Sequence, residues 1–358
     1  MVDLSRLAAE LSNAFGPSGF EGEVRDVFRN WLTGRAEITY DNLGGIMAWR
    51  RGASETPKIL LAAHLDEVGL LVRGILPGGC LRAVPLGGWW PPTLLAQRVV
   101  VRSAGGDHFG IIGAKPPHFL GEDEKNRPLR WGDLYIDVGA TSAAEVADLG
   151  IAVGDPVVPA VAASPLGLAG TIVGKAFDNR IGCAAVIATL LELRGDHPNL
   201  VIGSGTVQEE NGARGARTLA SLVQPDLCLV LEGPPADDFP DAGAIVQGKM
   251  GGGPQIRFYD PSMIANQALA KLAVAQAQRL GLPYQVTVRE SGGTDGSAIQ
   301  VQTVGGVPTL VIGIPVRYAH SPQSIVRLSD LEATIQLVGA LLGVLDEATV
   351  DRLKQQPW

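Results

Sequence analysis

Apolar positions along the chain follow two rhythms, and their alternation predicts the fold. Residues 4 to 13 place Leu4, Leu7, Ala8 and Leu11 at helical spacing, and a second amphipathic stretch carries Val24, Val27, Phe28, Trp31 and Leu32 before Gly34. Short continuous apolar runs follow, at Lys58 to Ala63, Thr171 to Gly174, Leu200 to Thr206, Leu227 to Leu231 and Thr309 to Ile312. Runs of this length and composition predict strands covered on both faces. Between them lie helical patterns at Ile181 to Leu193, from about Ala213, at Asn266 to Leu280, and after Ser329, where Ser329 and Glu332 suggest a capping box. Residues 36 to 50 predict a hairpin turning at Asp41 to Gly45.

The texture changes from Val68 to about Ser164. Gly69 to Val72, Arg98 to Arg102, Gly110 to Gly113, Leu134 to Val138 and Pro156 to Val161 are β-like runs separated by Gly/Pro turns. Ser142 to Leu149 predicts one short helix capped by Ser142 opposite Glu145, and Gly121 to Arg130 predicts a mobile loop. The expected fold class is α/β: a catalytic α/β/α domain with a mixed sheet, formed by residues 1–67 and 165–358. It is interrupted at 68–164 by a small β-barrel-like domain expected to mediate oligomerisation.

Composition narrows the function. Net charge is -8 and the 29 basic residues form no run, which argues against nucleic acid as a partner. Cys80, Cys183 and Cys228 are far apart in apolar surroundings, so they predict free thiols in a reducing compartment. No apolar run approaches the ~18 residues of a membrane span, and residues 1–6 lack the pattern of a signal peptide; a cytoplasmic location without membrane contact is expected.

The chemistry sits where buried runs end. His64, Asp66 and Glu67 follow one strand, Glu209 and Glu210 another, Glu232 a third; Asp178 precedes a helix and His320 follows the last strand. Strand ends of one open sheet converge at its carboxyl edge. Each residue has a plainer reading alone: His64 as a hydrogen-bonded histidine, Asp178 as an N-terminal helix carboxylate, Glu209 and Glu210 as a solvated helix opening. Together, two histidines and three carboxylates suit a pair of zinc-like ions sharing one bridging carboxylate. Glu209 is then left over beside a ligand, where it could take a proton from a water between the ions.

These stretches resemble the dinuclear metalloaminopeptidase family of glutamyl, deblocking and tetrahedral aminopeptidases. The resemblance lies in Ala63-His64-Leu65-Asp66-Glu67, Lys175-Ala176-Phe177-Asp178-Asn179-Arg180, Gln208-Glu209-Glu210-Asn211-Gly212, Gly292-Gly293-Thr294-Asp295 and Arg317-Tyr318-Ala319-His320-Ser321. Smaller matches at Gly87-Gly88-Trp89, Asp137-Val138-Gly139-Ala140 and Asp260-Pro261-Ser262-Met263 extend it. The resemblance implies that His64 and Glu232 bind one metal, Glu210 and His320 the other, and Asp178 bridges. It makes Glu209 the general base and Asp66 the group that orients His64. It also implies two divalent ions per subunit (zinc, with cobalt or manganese as options) and a homo-oligomer of the dodecameric tetrahedral kind that trims peptides from the N-terminus. Two departures stand out: Glu232 where many members have Asp, and Asn211 and Ala213 in place of larger apolar residues. Alternatives on the same metal site are a carboxypeptidase or an amidohydrolase of small acyl-amino acids; outside enzymes, a shell or binding protein without catalysis. A glycosidase pair is disfavoured, because adjacent glutamates cannot flank a glycosidic bond.

Overall fold

The computed structural model describes residues 2–355. Four of the apolar runs become its parallel core, with strands Leu200–Thr206, Lys58–His64, Leu227–Glu232 and Thr309–Gly313 side by side in that order. All seven residues of Leu200–Thr206 are buried, as expected of a strand covered on both faces. Close packing explains its glycines. A Cβ on Gly203 would lie 2.4 Å from Leu190 of helix Phe177–Glu192, and one on Gly205 would lie 2.5 Å from Leu65. Antiparallel strands flank the four, Ile46–Arg51 against Leu200–Thr206 and Gln255–Asp260 against Thr309–Gly313. Glu37–Tyr40, Met263–Ile264 and Gln285–Val288 complete a nine-stranded mixed sheet. Phe177–Glu192 packs with Leu4–Asn13, Gly22–Leu32 and Leu328–Leu342, and Arg214–Val223 packs with Asp295–Gln302. The small side chains of Phe177–Glu192 let it approach closely: a Cβ on Gly182 would meet the Leu231 carbonyl at 2.3 Å.

The region of short runs forms a closed six-stranded barrel in the order Gly69–Ile75, Leu81–Leu86, Tyr135–Asp137, Gly106–Gly113, Arg98–Ser103, Pro156–Pro159. Pairing of Pro156–Pro159 with Gly69–Ile75 closes it, so no sheet edge is left open. Its core, including Leu81, Val101 and Ile136, is separate from the apolar cluster of the large sheet.

Three local expectations are refined. Residues 121–130 are not structureless: Glu122–Lys125 is a single helical turn, with Lys115 on Glu124 and Arg127 on Asp133 flanking it. Ser142 caps Ala143–Asp148 as expected, but the Glu145 carboxylate takes the N–H of Thr141, one residue further out. Ser329 does not cap the last long helix. Leu328–Leu342 starts directly from strand Ser324–Arg327 without a side-chain cap, and Asp330 of its first turn accepts instead from the N–H groups of Gly251 and Gly253. Cys183 and Cys228 are buried, Cys80 is half-buried, and all three are free. Among the described residues no single helix is long and apolar enough to cross a membrane.

Candidate metal centre

The strand ends bring His64, Asp178, Glu209, Glu210, Glu232 and His320 to the wall of one cavity of about 690 Å³. His64 and Glu232 are the last residues of two adjacent parallel strands. Asp178 enters from the irregular first turn of Phe177–Glu192, where Asp178 and Asn179 have non-helical dihedrals. Its two oxygens face different histidines: Oδ1 is 3.2 Å from His64 Nε2 and Oδ2 is 3.2 Å from His320 Nε2. Glu232 Oε1 lies 3.5 Å from His64 Nε2, and Glu210 Oε1 lies 3.2 Å from His320 Nε2. Glu232, for all its extra methylene, therefore reaches the same imidazole. Glu209 Oε2 stands further back, 3.8 Å from His64 Nε2.

The donor set is suited to a cation of higher charge than a proton. One donor atom each from His64, Asp178 and Glu210 falls within 4.8 Å of the others. Glu210 Oε1 is buried without a hydrogen-bond partner, an arrangement that is costly unless something cationic completes it. Burial works against a charged His320, yet Asp178 and Glu210 outweigh it and raise the imidazole to about 11. His64 behaves alike: burial opposes its charge, while Glu232, Asp178 and Asp66 lift it well above the ordinary value. Burial also pushes Asp178 upward, but the two imidazoles win and hold it well below the carboxylate range. Glu209 goes the other way. Burial raises it well above the usual value, His64 opposes, and Asp295, Glu210 and Glu232 add to the rise. Burial raises Glu210 as well, with His320 opposing, so the two neighbouring glutamates differ in which imidazole each one faces.

Asp66 does more than the sequence suggested. The nearest partner of His64 Nδ1 is the Asp66 backbone carbonyl at 3.0 Å, with carboxylate Oδ1 at 3.5 Å. The carboxylate itself accepts from the N–H groups of Glu209 at 3.0 Å and Glu210 at 3.1 Å, and from Ser18 Oγ at 2.6 Å. Asp66 therefore sets the turn that carries both glutamates.

Several contributors lie in the stretches that carry the resemblance but have no role assigned to them there. Arg180 is fully buried and donates to the carbonyls of Leu65, Leu11, Ala14 and Gly16 and to Glu67, which also receives Lys175 Nζ. Asn179 ties the helix start to Leu231 O. The barrel reaches in through Gly88, whose carbonyl accepts from His320 Nδ1 at 2.6 Å; a Cβ on Gly87 would meet Glu210 Oε2 at 3.0 Å. Left-handed backbone at Ala176, Gln208, Tyr318 and His320, all non-glycine, falls at or within two residues of Asp178, Glu209 and His320. Such conformations cost energy and cluster at functional sites.

Comparison with known proteins agrees with this geometry. The family model of the M42 glutamyl aminopeptidases matches residues 44–337. The glutamyl aminopeptidase of Lactococcus lactis is 34% identical over 345 residues, covering 94% of this chain and 95% of that protein. The lysyl aminopeptidase of Pyrococcus furiosus is 33% identical over 347 residues, covering 96% and 97%. A TET aminopeptidase from a marine sediment archaeon of the Thaumarchaeota superposes with a TM-score of 0.94 at 41% identity, covering 98% of each chain. The chain belongs to the M42 glutamyl aminopeptidase family.

Proposed function

We propose that this chain removes residues one at a time from the N-terminus of peptides, with His64 and Glu232 holding one divalent ion, Glu210 and His320 a second, and Asp178 shared between them. The observation that carries the reading is the Asp178 carboxylate, with one oxygen 3.2 Å from each imidazole. Zinc is the first choice of ion for a nitrogen and carboxylate donor set, with cobalt or manganese as alternatives. When bound, such ions supply Lewis-acid chemistry and lower the pKa of water.

The chain's own groups do the rest. Glu209, buried and held away from the sharing carboxylate, accepts a proton from water and returns it to the leaving amine. Asp66 acts as a positioning residue by fixing the N–H groups of Glu209 and Glu210. The free amine of the peptide is met by the acidic end of the cavity, which favours an N-terminal over a C-terminal residue. Residues 68–164 are proposed as a domain for assembly into a homo-oligomeric shell of the tetrahedral kind. Supporting this, the barrel region exposes the large apolar side chains Trp90, Phe109, Ile111 and Phe119.

Two adjacent substitutions test the assignment. Glu209→Gln keeps shape but removes the proton acceptor, so turnover should fall by about 10²- to 10⁴-fold while metal content stays at the wild-type level. Glu210→Gln should lose or weakly hold one ion, with activity partly restored by added metal. If Glu209→Gln loses metal and Glu210→Gln does not, the roles are exchanged; if both stay active, the two-ion mechanism is wrong.

A further inference from the structure

Three successive backbone N–H groups lead into and through the pair of glutamates, and each is taken by a carboxylate from far earlier in the chain. Those of Glu209 and Glu210 go to the two oxygens of Asp66, at 3.0 and 3.1 Å. The one before them, of Gln208, donates to Glu21 Oε1 at 3.0 Å, and the same oxygen accepts from the Gly19 N–H at 2.8 Å. Glu21 completes a cradle that Asp66 begins.

Glu21 closes the turn at residues 16–21, which is joined to the segment after His64 at several points. The Glu67 N–H donates to the Gly16 carbonyl at 3.0 Å, Pro17 pairs with Glu67 in a parallel bridge, and Ser18 Oγ donates to Asp66 Oδ2. Glu21 occupies the N-cap position of helix Gly22–Leu32, yet among the described residues its side chain makes no capping bond to that helix. It is 6% exposed, and the cavity wall that carries Glu209 and Glu210 does not include it. Burial and the Asp66 charge push its carboxyl up to about 7, with the N–H groups of Gly19 and Gln208 pulling the other way. A group in this state accepts hydrogen bonds much as an amide oxygen does.

Gln208 is where that acceptor matters. Its φ is 56°, a left-handed backbone that is unfavourable for a residue carrying a Cβ. Such a conformation persists where the surroundings over-determine it, and Glu21 holds the N–H of this very residue. Without Glu21 the Gln208 peptide can relax, and relaxation there turns the direction in which Glu209 leaves the chain. Glu210 keeps its own tie to Asp66.

We propose that Glu21 is a positioning residue for Glu209: by fixing the Gln208 peptide it aims the proton-accepting carboxylate into the cavity. The inference rests on the reading of Glu209 as general base and adds the group that directs it. Proton transfer tolerates little misplacement, so Glu21 acts on turnover and leaves peptide affinity and metal content alone.

The test is a double-mutant cycle on the metal-loaded enzyme, read with an aminoacyl anilide that the wild type turns over. Glu21→Ala should lower kcat by about 10- to 100-fold, with KM within about twofold of wild type and metal content unchanged. Glu21→Gln keeps an accepting oxygen and should recover most of that rate. In the Glu209→Gln background the Glu21→Ala change should cost less than about twofold, because the group it aims is already gone. A residue that serves only the fold would depress both backgrounds alike. The proposal fails if Glu21→Ala turns over as the wild type does, if its loss is equal in both backgrounds, if it sheds metal, or if Glu21→Gln recovers nothing. Should Glu21→Ala not fold, Glu21→Met keeps the length without the oxygen and is read in the same way; if neither folds, Glu21 serves the fold and the proposal fails. Full activity of Glu209→Gln would overturn the general-base reading and this inference with it, whereas collapse of Glu209→Gln beside an unaffected Glu21→Ala would overturn this inference alone.

Discussion

The sheet region and the barrel are stabilised in different ways, and the contrast shows what a metal site demands of its scaffold. Beneath the site, the chain places ions in the interior: Arg180 is fully buried across four backbone carbonyls and Glu67, with buried Lys175 on the same carboxylate. In the barrel region the ion pairs lie at the surface, as in Arg127 with Asp133 and Lys115 with Glu124, around an apolar core. Buried charge is costly to assemble and costlier to break, and it permits few arrangements of the backbone it joins. Here it joins the N-terminal segment around Leu11 to Gly16, the Leu65 to Glu67 segment that follows His64, and the start of the helix that carries Asp178.

The sharpest way to break the contrast is Arg180→Met. Removing the guanidinium leaves several buried carbonyls without their donor and Glu67 without one of its two cations, so a loss of roughly 3–5 kcal/mol is expected in urea or thermal unfolding. A change below about 1 kcal/mol would show that the buried network is dispensable.

Lys175 gives a signed prediction in pH. Burial lowers its ammonium from 10.5 to about 8, against the pull of Glu67. Between about pH 8 and 10.5 the unfolded chain therefore holds a proton that the folded chain has released, and this group's contribution to stability rises with pH across that window. Lys175→Met should remove that part of the slope when urea midpoints are compared at the two ends of the window. Parallel slopes would mean that the lysine is not desolvated.

In the barrel, Ile136→Val should cost only ~0.5–1.5 kcal/mol, the ordinary value for one methylene lost from a packed core. Metal content should not change. The smallest effect belongs to Arg127→Ala. Arg127, with the Arg130 N–H, lowers Asp133 from 3.8 to about 2, so the pair adds stability above pH 3.8 that fades as pH falls toward 2. Both side chains are largely solvated, and the acid-side change should be slight and vanish in high salt.

Much of the site was legible because its residues sit at the ends of apolar runs: His64 and Glu232 close strands, and Glu209 and Glu210 follow one by a few residues. The barrel was legible from its turn spacing. What stayed hidden depends on tertiary geometry. Arg180 resembles any arginine at a helix start until Leu11, Ala14, Gly16 and Leu65 fold around it. The dual task of Asp66 arises only when the Glu209 turn is brought to it from far along the chain. Ser329 was misjudged because a capping pattern is local, whereas the helix start is set by the preceding strand and by Asp330 bound to Gly251 and Gly253.

Gly88 gives the two halves of the centre unequal mountings. His64, Glu232 and the Glu209 turn are anchored to the large sheet and to Asp66, while His320 takes the carbonyl of a residue that follows the barrel strand Leu81–Leu86. A load applied to the barrel, by a neighbouring subunit or by its own loosening, therefore has a hydrogen-bonded path to His320 through Gly88. The centre resembles a vice with one jaw cast into the bench and the other bolted to a separate plate, and how firmly it grips depends on how well that plate is seated.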